Sequence, residues 1–88
     1  MKAQNRLESL PNIGTTLAER LRSVGVSTVK QLEELGAVEA YKRIQNQIPE
    51  KLPVCYNLYS LEGALQNIDW RKLSEKQKNK LLLEAGRI

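Results

Sequence analysis

The residues best suited to chemistry in this chain sit at the start of a helix. Gly14, Thr15 and Thr16 end the segment LPNIG, residues 10–14, and open the run TTLAERLRSVG. A helix N-terminus exposes amide N–H groups that have no intrahelical partner, and the helix dipole adds partial positive charge there. A glycine at that point lets the backbone approach an anion with no Cβ in the way. Asparagine tolerates left-handed backbone better than most residues, so Asn12 can make the turn. Leu10 and Ile13 can anchor it in a core. Asn12, Gly14, Thr15 and Thr16 are thus candidates to hold a phosphate through amides and hydroxyls. Arg20 and Arg22, on the same helix, are candidates to reach neighbouring phosphates. The competing reading of LPNIG is a tight corner between two helices with no ligand.

Little other chemistry is on offer. The chain has no histidine and one cysteine, Cys55, which rules out an intramolecular disulfide and a zinc site of the usual ligand types. Cys55 has no basic neighbour to activate it and reads as a structural thiol. No Ser/His/Asp or Cys/His set exists, no phosphate-binding loop or dinucleotide motif occurs, and no pair of carboxylates is marked for acid–base work. The expectation is a non-enzymatic protein without metal or cofactor. No run of about 18 apolar residues predicts a membrane span, and the N-terminus lacks a signal-peptide core. A reducing, cytoplasmic setting follows.

The net charge of +4 is unevenly spread. Residues 1–25 carry four basic and two acidic side chains, residues 26–70 four and six, and residues 71–88 six and two. Positive charge therefore gathers at the ends of the chain. Lys76, Lys78 and Lys80 form a second candidate patch for nucleic acid, where cations would release counterions. A solvated helix face is the alternative for these lysines.

The elements that must position these residues are all helical. With 88 residues, one domain is expected. No strand signal is present, and glycines and prolines punctuate helical patterns. A short helix is predicted over about residues 3–9, ended by Pro11, which holds Leu10 away from helical geometry. A second runs from Thr16 to Val24, with Thr16 and Glu19 at capping-box spacing and Gly25 after it. Thr28 with Gln31 opens a third, lined by Val29, Leu32 and Leu35 and closed by Gly36. Val38, Tyr41, Ile44 and Ile48 mark a fourth, stopped by Pro49. Pro53 suits the first turn of a fifth, whose stripe is Val54, Leu58, Leu61 and Leu65. Ser74 and Gln77 open a sixth carrying Leu81, Leu82 and Ala85. The fold class is all-α: a compact bundle of five or six short helices. Gly63, inside LEGAL, is expected to permit close contact with another helix, since glycine costs about 1 kcal/mol within a helix.

LPNIGTTLAERLRSVGVSTVKQLEELG resembles a helix-hairpin-helix motif, placed at about residues 7–36. That resemblance implies binding to the DNA backbone without sequence preference. The general motif has glycine where Asn12 stands, and members often carry lysine where Thr16 stands. More of the chain is covered by a second likeness. LPNIG, LRSVGVSTVKQLEELGAVEAYKRI and NLYSLEGALQNIDWRKL together resemble the C-terminal domain of the TfoX/Sxy family, over about Leu7 to Ala85. Members of that family are bacterial regulators of natural competence, with a separate N-terminal domain ahead of this one. These 88 residues begin almost at the hairpin. The family location also suggests Glu62 as a cap for a neighbouring helix start.

The aromatic side chains are Tyr41, Tyr56, Tyr59 and Trp70. Their helical spacing favours packing over base stacking, and Trp70 has basic neighbours, Arg71 and Lys72. Two functional readings result. One is a DNA-binding module that grips phosphates through the hairpin. The other is a protein-interaction or dimerisation module in which the hairpin is only structural. For the second, one of Leu81, Leu82 and Leu83 is expected to point outward, because three successive residues cannot share one helix face.

Overall fold

Capping residues, leucine stripes and left-handed turn residues divide the chain into short helices. The computed structural model describes residues 6–87. Among them no strand is present, and five α-helices follow one another: α1 (Thr15–Ser23), α2 (Val29–Leu35), α3 (Ala37–Gln47), α4 (Ser60–Gln66) and α5 (Glu75–Glu84). Three short turns complete the path. A 3₁₀ turn, Leu7–Ser9, precedes α1; a π-helical turn, Cys55–Tyr59, runs directly into α4; and a second 3₁₀ turn, Trp70–Lys72, separates α4 from α5. The all-α class is as expected.

The helix predicted over residues 3–9 is, within the described residues, the single turn Leu7–Ser9; residues 3–5 lie outside them. Leu10 is extended, with φ −84° and ψ 147°, as the residue before a proline prefers. α1 begins at Thr15 rather than Thr16, and Gly14 is its N-cap. The expected Thr16–Glu19 capping box is therefore absent: Thr16 lies already inside the helix and is exposed. The other two boxes form. Thr28 Oγ1 accepts from the Gln31 amide at 3.1 Å while Gln31 Oε1 accepts from the Thr28 amide at 3.2 Å. Ser74 and Gln77 do the same at 3.1 and 2.9 Å.

α1 ends as the sequence suggests. Gly25 has φ +88°, and the Val26 amide donates back to Leu21 O at 2.9 Å while the Gly25 amide donates to Arg22 O at 3.1 Å. This is a Schellman closure, which needs a residue that adopts left-handed backbone at no steric cost. The fifth predicted helix differs most. Its first turn is π-helical, with the Tyr59 amide donating to Val54 O at 2.9 Å, and only Ser60–Gln66 is α-helical. Wider winding in this turn accompanies the inward placement of Asn57, which is buried and donates through Nδ2 to Pro53 O at 2.7 Å.

The core gathers one residue or more from nearly every element: Leu7, Leu17, Leu21, Leu32, Tyr41, Ile44, Leu58 and Leu61 are all almost fully buried. Leu7 belongs to a three-residue turn, and its burial contributes about 1.5–3 kcal/mol. Tyr41 donates its hydroxyl to Leu52 O at 3.3 Å and accepts from the Arg87 guanidinium, which ties the chain's last described residue to α3. Gln45 holds the loop after α3, accepting from the Leu52 amide at 2.9 Å and donating to Glu50 O at 2.8 Å. Among the described residues no helix is long and apolar enough to cross a membrane.

The different roles of the two threonines can be measured. Thr28→Ala removes a cap and is expected to cost about 1 kcal/mol of stability in urea unfolding. Thr16→Ala removes none and should stay within about 0.5 kcal/mol of the parent. Equal losses would contradict the assignment of the caps.

Candidate functional site

The hairpin turns at Asn12, which has φ +70°. Ile13 is buried and Leu10 packs against the same core, so the turn is anchored on both sides. The side chain of Asn12 faces inward as well. Its Nδ2 donates to Ile68 O at 2.8 Å and to Ser60 O at 3.4 Å, and its Oδ1 accepts from the Trp70 amide at 3.3 Å. One asparagine thus joins the hairpin to α4 and to the segment that follows it. Asn12 was a candidate phosphate contact; with its amide group engaged inward, it positions the hairpin.

Gly63 makes this arrangement possible. A Cβ there would lie 2.6 Å from Asn12 Nδ2, 2.9 Å from Ile68 O and 3.0 Å from Trp70 Cα. This glycine does serve packing, but its neighbours are the hairpin side chain and the segment after α4 rather than the other helix expected.

With the hairpin clamped, the start of α1 faces solvent. Gly14, Thr15 and Thr16 are exposed, Gly14 supplies no side-chain cap, and the first intrahelical bond runs from the Ala18 amide to Gly14 O at 3.0 Å. The amides ahead of Ala18 therefore have no helical acceptor. They border a cleft of about 390 Å³ whose other walls include Arg20, Tyr56, Asp69, Trp70 and Arg71.

The charges in this cleft are differently committed. Arg20 donates through Nη1 to Asn57 Oδ1 at 3.2 Å. No carboxylate among the described residues lies within ion-pair distance of it. Its guanidinium keeps most of its donors for a ligand. Arg71 instead grips Asp69, with Nε to Oδ1 at 3.0 Å and Nη2 to Oδ2 at 2.7 Å. That side-chain pair, followed by the bond from the Arg71 amide to Asp69 Oδ1, holds the Asp69 carboxyl well below the usual carboxylate range. The two charges largely cancel.

Arg22 is not brought to the cleft. It pairs with Glu8 at 2.8 Å on the 3₁₀ turn, and its hydrogen bond is the main cause that lowers the Glu8 carboxyl. Residues two apart on a helix do not share a face, so Arg20 and Arg22 diverge. The lysine patch divides for the same reason. Lys78 lies 5.7 Å from the ring centres of both Tyr59 and Trp70 and is mostly covered. Lys76 is exposed, and Lys80 is exposed beside a separate cleft of about 510 Å³ that Glu62 also lines. Glu62 accepts from Gln66 Nε2 at 2.7 Å.

Tyr56 and Trp70 are the wall residues that the helical pattern assigned to packing. Tyr41 and Tyr59 are buried, as that pattern implies, but Tyr56 is 70 % exposed. Its place off the Val54, Leu58, Leu61, Leu65 stripe was the available signal. Cys55 is partly buried and makes no disulfide.

A family model described as the TfoX C-terminal domain matches residues 3–85. The chain is 32% identical over 84 residues to "DNA transformation protein TfoX1" of Aliivibrio fischeri, covering 96% of this chain and 40% of that protein. It is 30% identical over 88 residues to "DNA transformation protein TfoX" of Haemophilus influenzae, covering 100% of this chain and 40% of that protein. The chain thus spans about 40% of the length of these relatives. Two crystal structures from Listeria monocytogenes are also similar. One, an uncharacterised protein, has a TM-score of 0.78 at 39% identity, covering 85% of this chain and 83% of that one. The other, a protein of unknown function, has a TM-score of 0.82 at 36% identity, covering 91% and 96%.

The clamp between Asn12 and Gly63 predicts coupled mutations. Gly63→Ala forces a methyl group against Asn12 and is expected to cost about 1–3 kcal/mol. Asn12→Ala leaves the Trp70 amide and Ile68 carbonyl without their partner, at about 1–3 kcal/mol. The double variant should lose less than the sum, because the second change no longer displaces an asparagine. Additive losses in denaturant unfolding would contradict the clamp.

Proposed function

The chain belongs to the TfoX C-terminal domain family, and from that premise we propose that its hairpin cleft is a non-catalytic DNA site that contacts phosphates without reading sequence. The observation that carries this reading is the exposed, uncapped start of α1 beside Arg20. Amides at a helix start and a guanidinium both favour an anion. Contacts of this kind fix a protein on the nucleic-acid backbone and carry no base information. Gly14, Thr15 and Thr16 supply the amides and hydroxyls, Arg20 the nearby charge, and Asn12 the rigid turn. Arg22, paired with Glu8, is given no direct part, nor is Lys78. The relatives' names, "DNA transformation protein", support a competence-related role; DNA as the partner and the cytoplasm as the setting are part of this proposal.

An interaction or dimerisation surface is the second reading, with the hairpin purely structural. Leu83, 64 % exposed on α5, favours it, and it is the outward leucine expected of the LLL run. One exposed leucine is not a patch, so this reading carries less.

Gly14→Glu is a clean probe, because the backbone there is extended and a Cβ meets nothing within 4 Å. Fluorescence anisotropy with a short duplex should show affinity falling steeply with salt, and Gly14→Glu should weaken binding by about ten-fold or more. Arg20→Ala should flatten the salt dependence by about one phosphate contact, while Arg22→Ala changes it little. Salt-insensitive binding, or a Gly14→Glu variant that binds like the parent, would refute the phosphate site.

A further inference from the structure

The cleft at the hairpin has an aromatic wall as well as a cationic one. Tyr56 is 70 % exposed. Trp70 stands edge-on to it, with ring centres 6.1 Å apart and an interplanar angle of 77°. Trp70 is itself supported: Tyr59, 7 % exposed, lies 6.1 Å from it at 33°, and the Lys78 ammonium lies 5.7 Å from both rings. The exposed ring therefore rests on a packed aromatic stack rather than on a mobile loop. A large apolar ring left in water beside open amides and a guanidinium is a combination that single-strand binding sites use.

The position of this wall relative to the helix start is fixed by one residue. Asn12 makes the turn that leads into α1, and its Oδ1 accepts from the backbone amide of Trp70. Thr15, Thr16 and Tyr56 thus border one cleft of about 390 Å³. Bases in a duplex are stacked on each other, and a ring set beside the phosphates reaches a base face only by unstacking it, at a cost of several-fold to several hundred-fold in affinity. An unpaired strand presents base faces and phosphates together without that cost.

We infer that the cleft prefers single-stranded DNA, holding a phosphate at the start of α1 and stacking an adjacent base on Tyr56. This rests on the phosphate reading above and adds the class of DNA to it. Tyr56 is the stacking residue, Trp70 supports it from the side, and Arg20 faces the strand's phosphates. The Asp69 carboxylate does not repel the strand strongly, because Arg71 holds it. Stacking has no base preference, so the site tolerates any sequence.

The test compares a labelled single-stranded oligonucleotide of mixed sequence with its duplex, by anisotropy at one salt concentration. The parent should bind the single strand about ten-fold more tightly. Tyr56→Ala should erase that preference by weakening single-strand binding more than duplex binding, and Tyr56→Phe should keep it, since the ring and not the hydroxyl stacks. Trp70, the chain's one tryptophan, gives an independent signal, and its fluorescence should change on single-strand binding more than on duplex binding. Equal affinities for the two DNA forms, or an unaltered preference in Tyr56→Ala with the fold intact by circular dichroism, would overturn the inference. In that case Gly14→Glu separates the two ideas. Loss of binding to both forms in Gly14→Glu leaves the phosphate site standing without the stacking residue; unchanged binding to both removes the phosphate site and the inference with it.

Discussion

The inward-facing amide of Asn12 is the interaction on which the rest of the site depends. It meets the Ser60 and Ile68 carbonyls and the Trp70 amide, so three points along the second half of the chain are referred to one residue of the hairpin. This requires a gap where α4 passes, and Gly63 supplies it. A part-buried polar side chain placed this way stabilises only if its donors and acceptor are met, and here each side of the amide has a partner. The same contact keeps the start of α1 open and sets the aromatic wall opposite it. Stability and the geometry of the cleft thus have a common origin.

Charge is distributed so that one cation stands out at the cleft. Arg22 is matched by Glu8, Arg71 by Asp69, and Arg43 by Glu39 at 3.6 Å. Lys78 is drawn onto aromatic faces. Exposed pairs of this kind add little to stability, but they do remove charge from the surface available to a polyanion. Arg20 is bonded to the neutral Asn57 and has no carboxylate partner among the described residues. The net charge of +4 is a long-range property, favouring the approach of anions in general without marking a place for one.

Much of the fold was legible in the sequence because the signals were local. Two of the three capping boxes, the Gly25 and Gly36 stops, the left-handed Asn12 and the outward Leu83 all follow from residues within a turn of one another. The Thr16–Glu19 box failed for a local reason too: Gly14 is extended and leaves α1 to start one residue earlier. What was not legible is long-range. Nothing near Asn12 in sequence shows that Ser60, Ile68 and Trp70 will surround it. Nothing near Lys78 shows that Tyr59 and Trp70 will cover it while Lys76 and Lys80 face solvent. Of the candidate contacts, Gly14, Thr15, Thr16 and Arg20 share the cleft with Asn12, and Arg22 leaves it. The exposure of Tyr56 was foreshadowed by its place off the apolar stripe, but its edge-on contact with Trp70 was not, because those two rings are brought together across the fold.

The central claim is that the first amides of α1 are the place where an anion is held. A chain of this size suits a two-dimensional NMR titration in which backbone amides are followed as a short oligonucleotide is added. The largest shifts are expected on Thr15, Thr16 and Leu17, with the Trp70 indole and the Arg20 side chain moving alongside them. Largest shifts on α5 around Leu83, with the amides of Thr15 to Leu17 unmoved, would contradict it and leave the hairpin as a corner between helices.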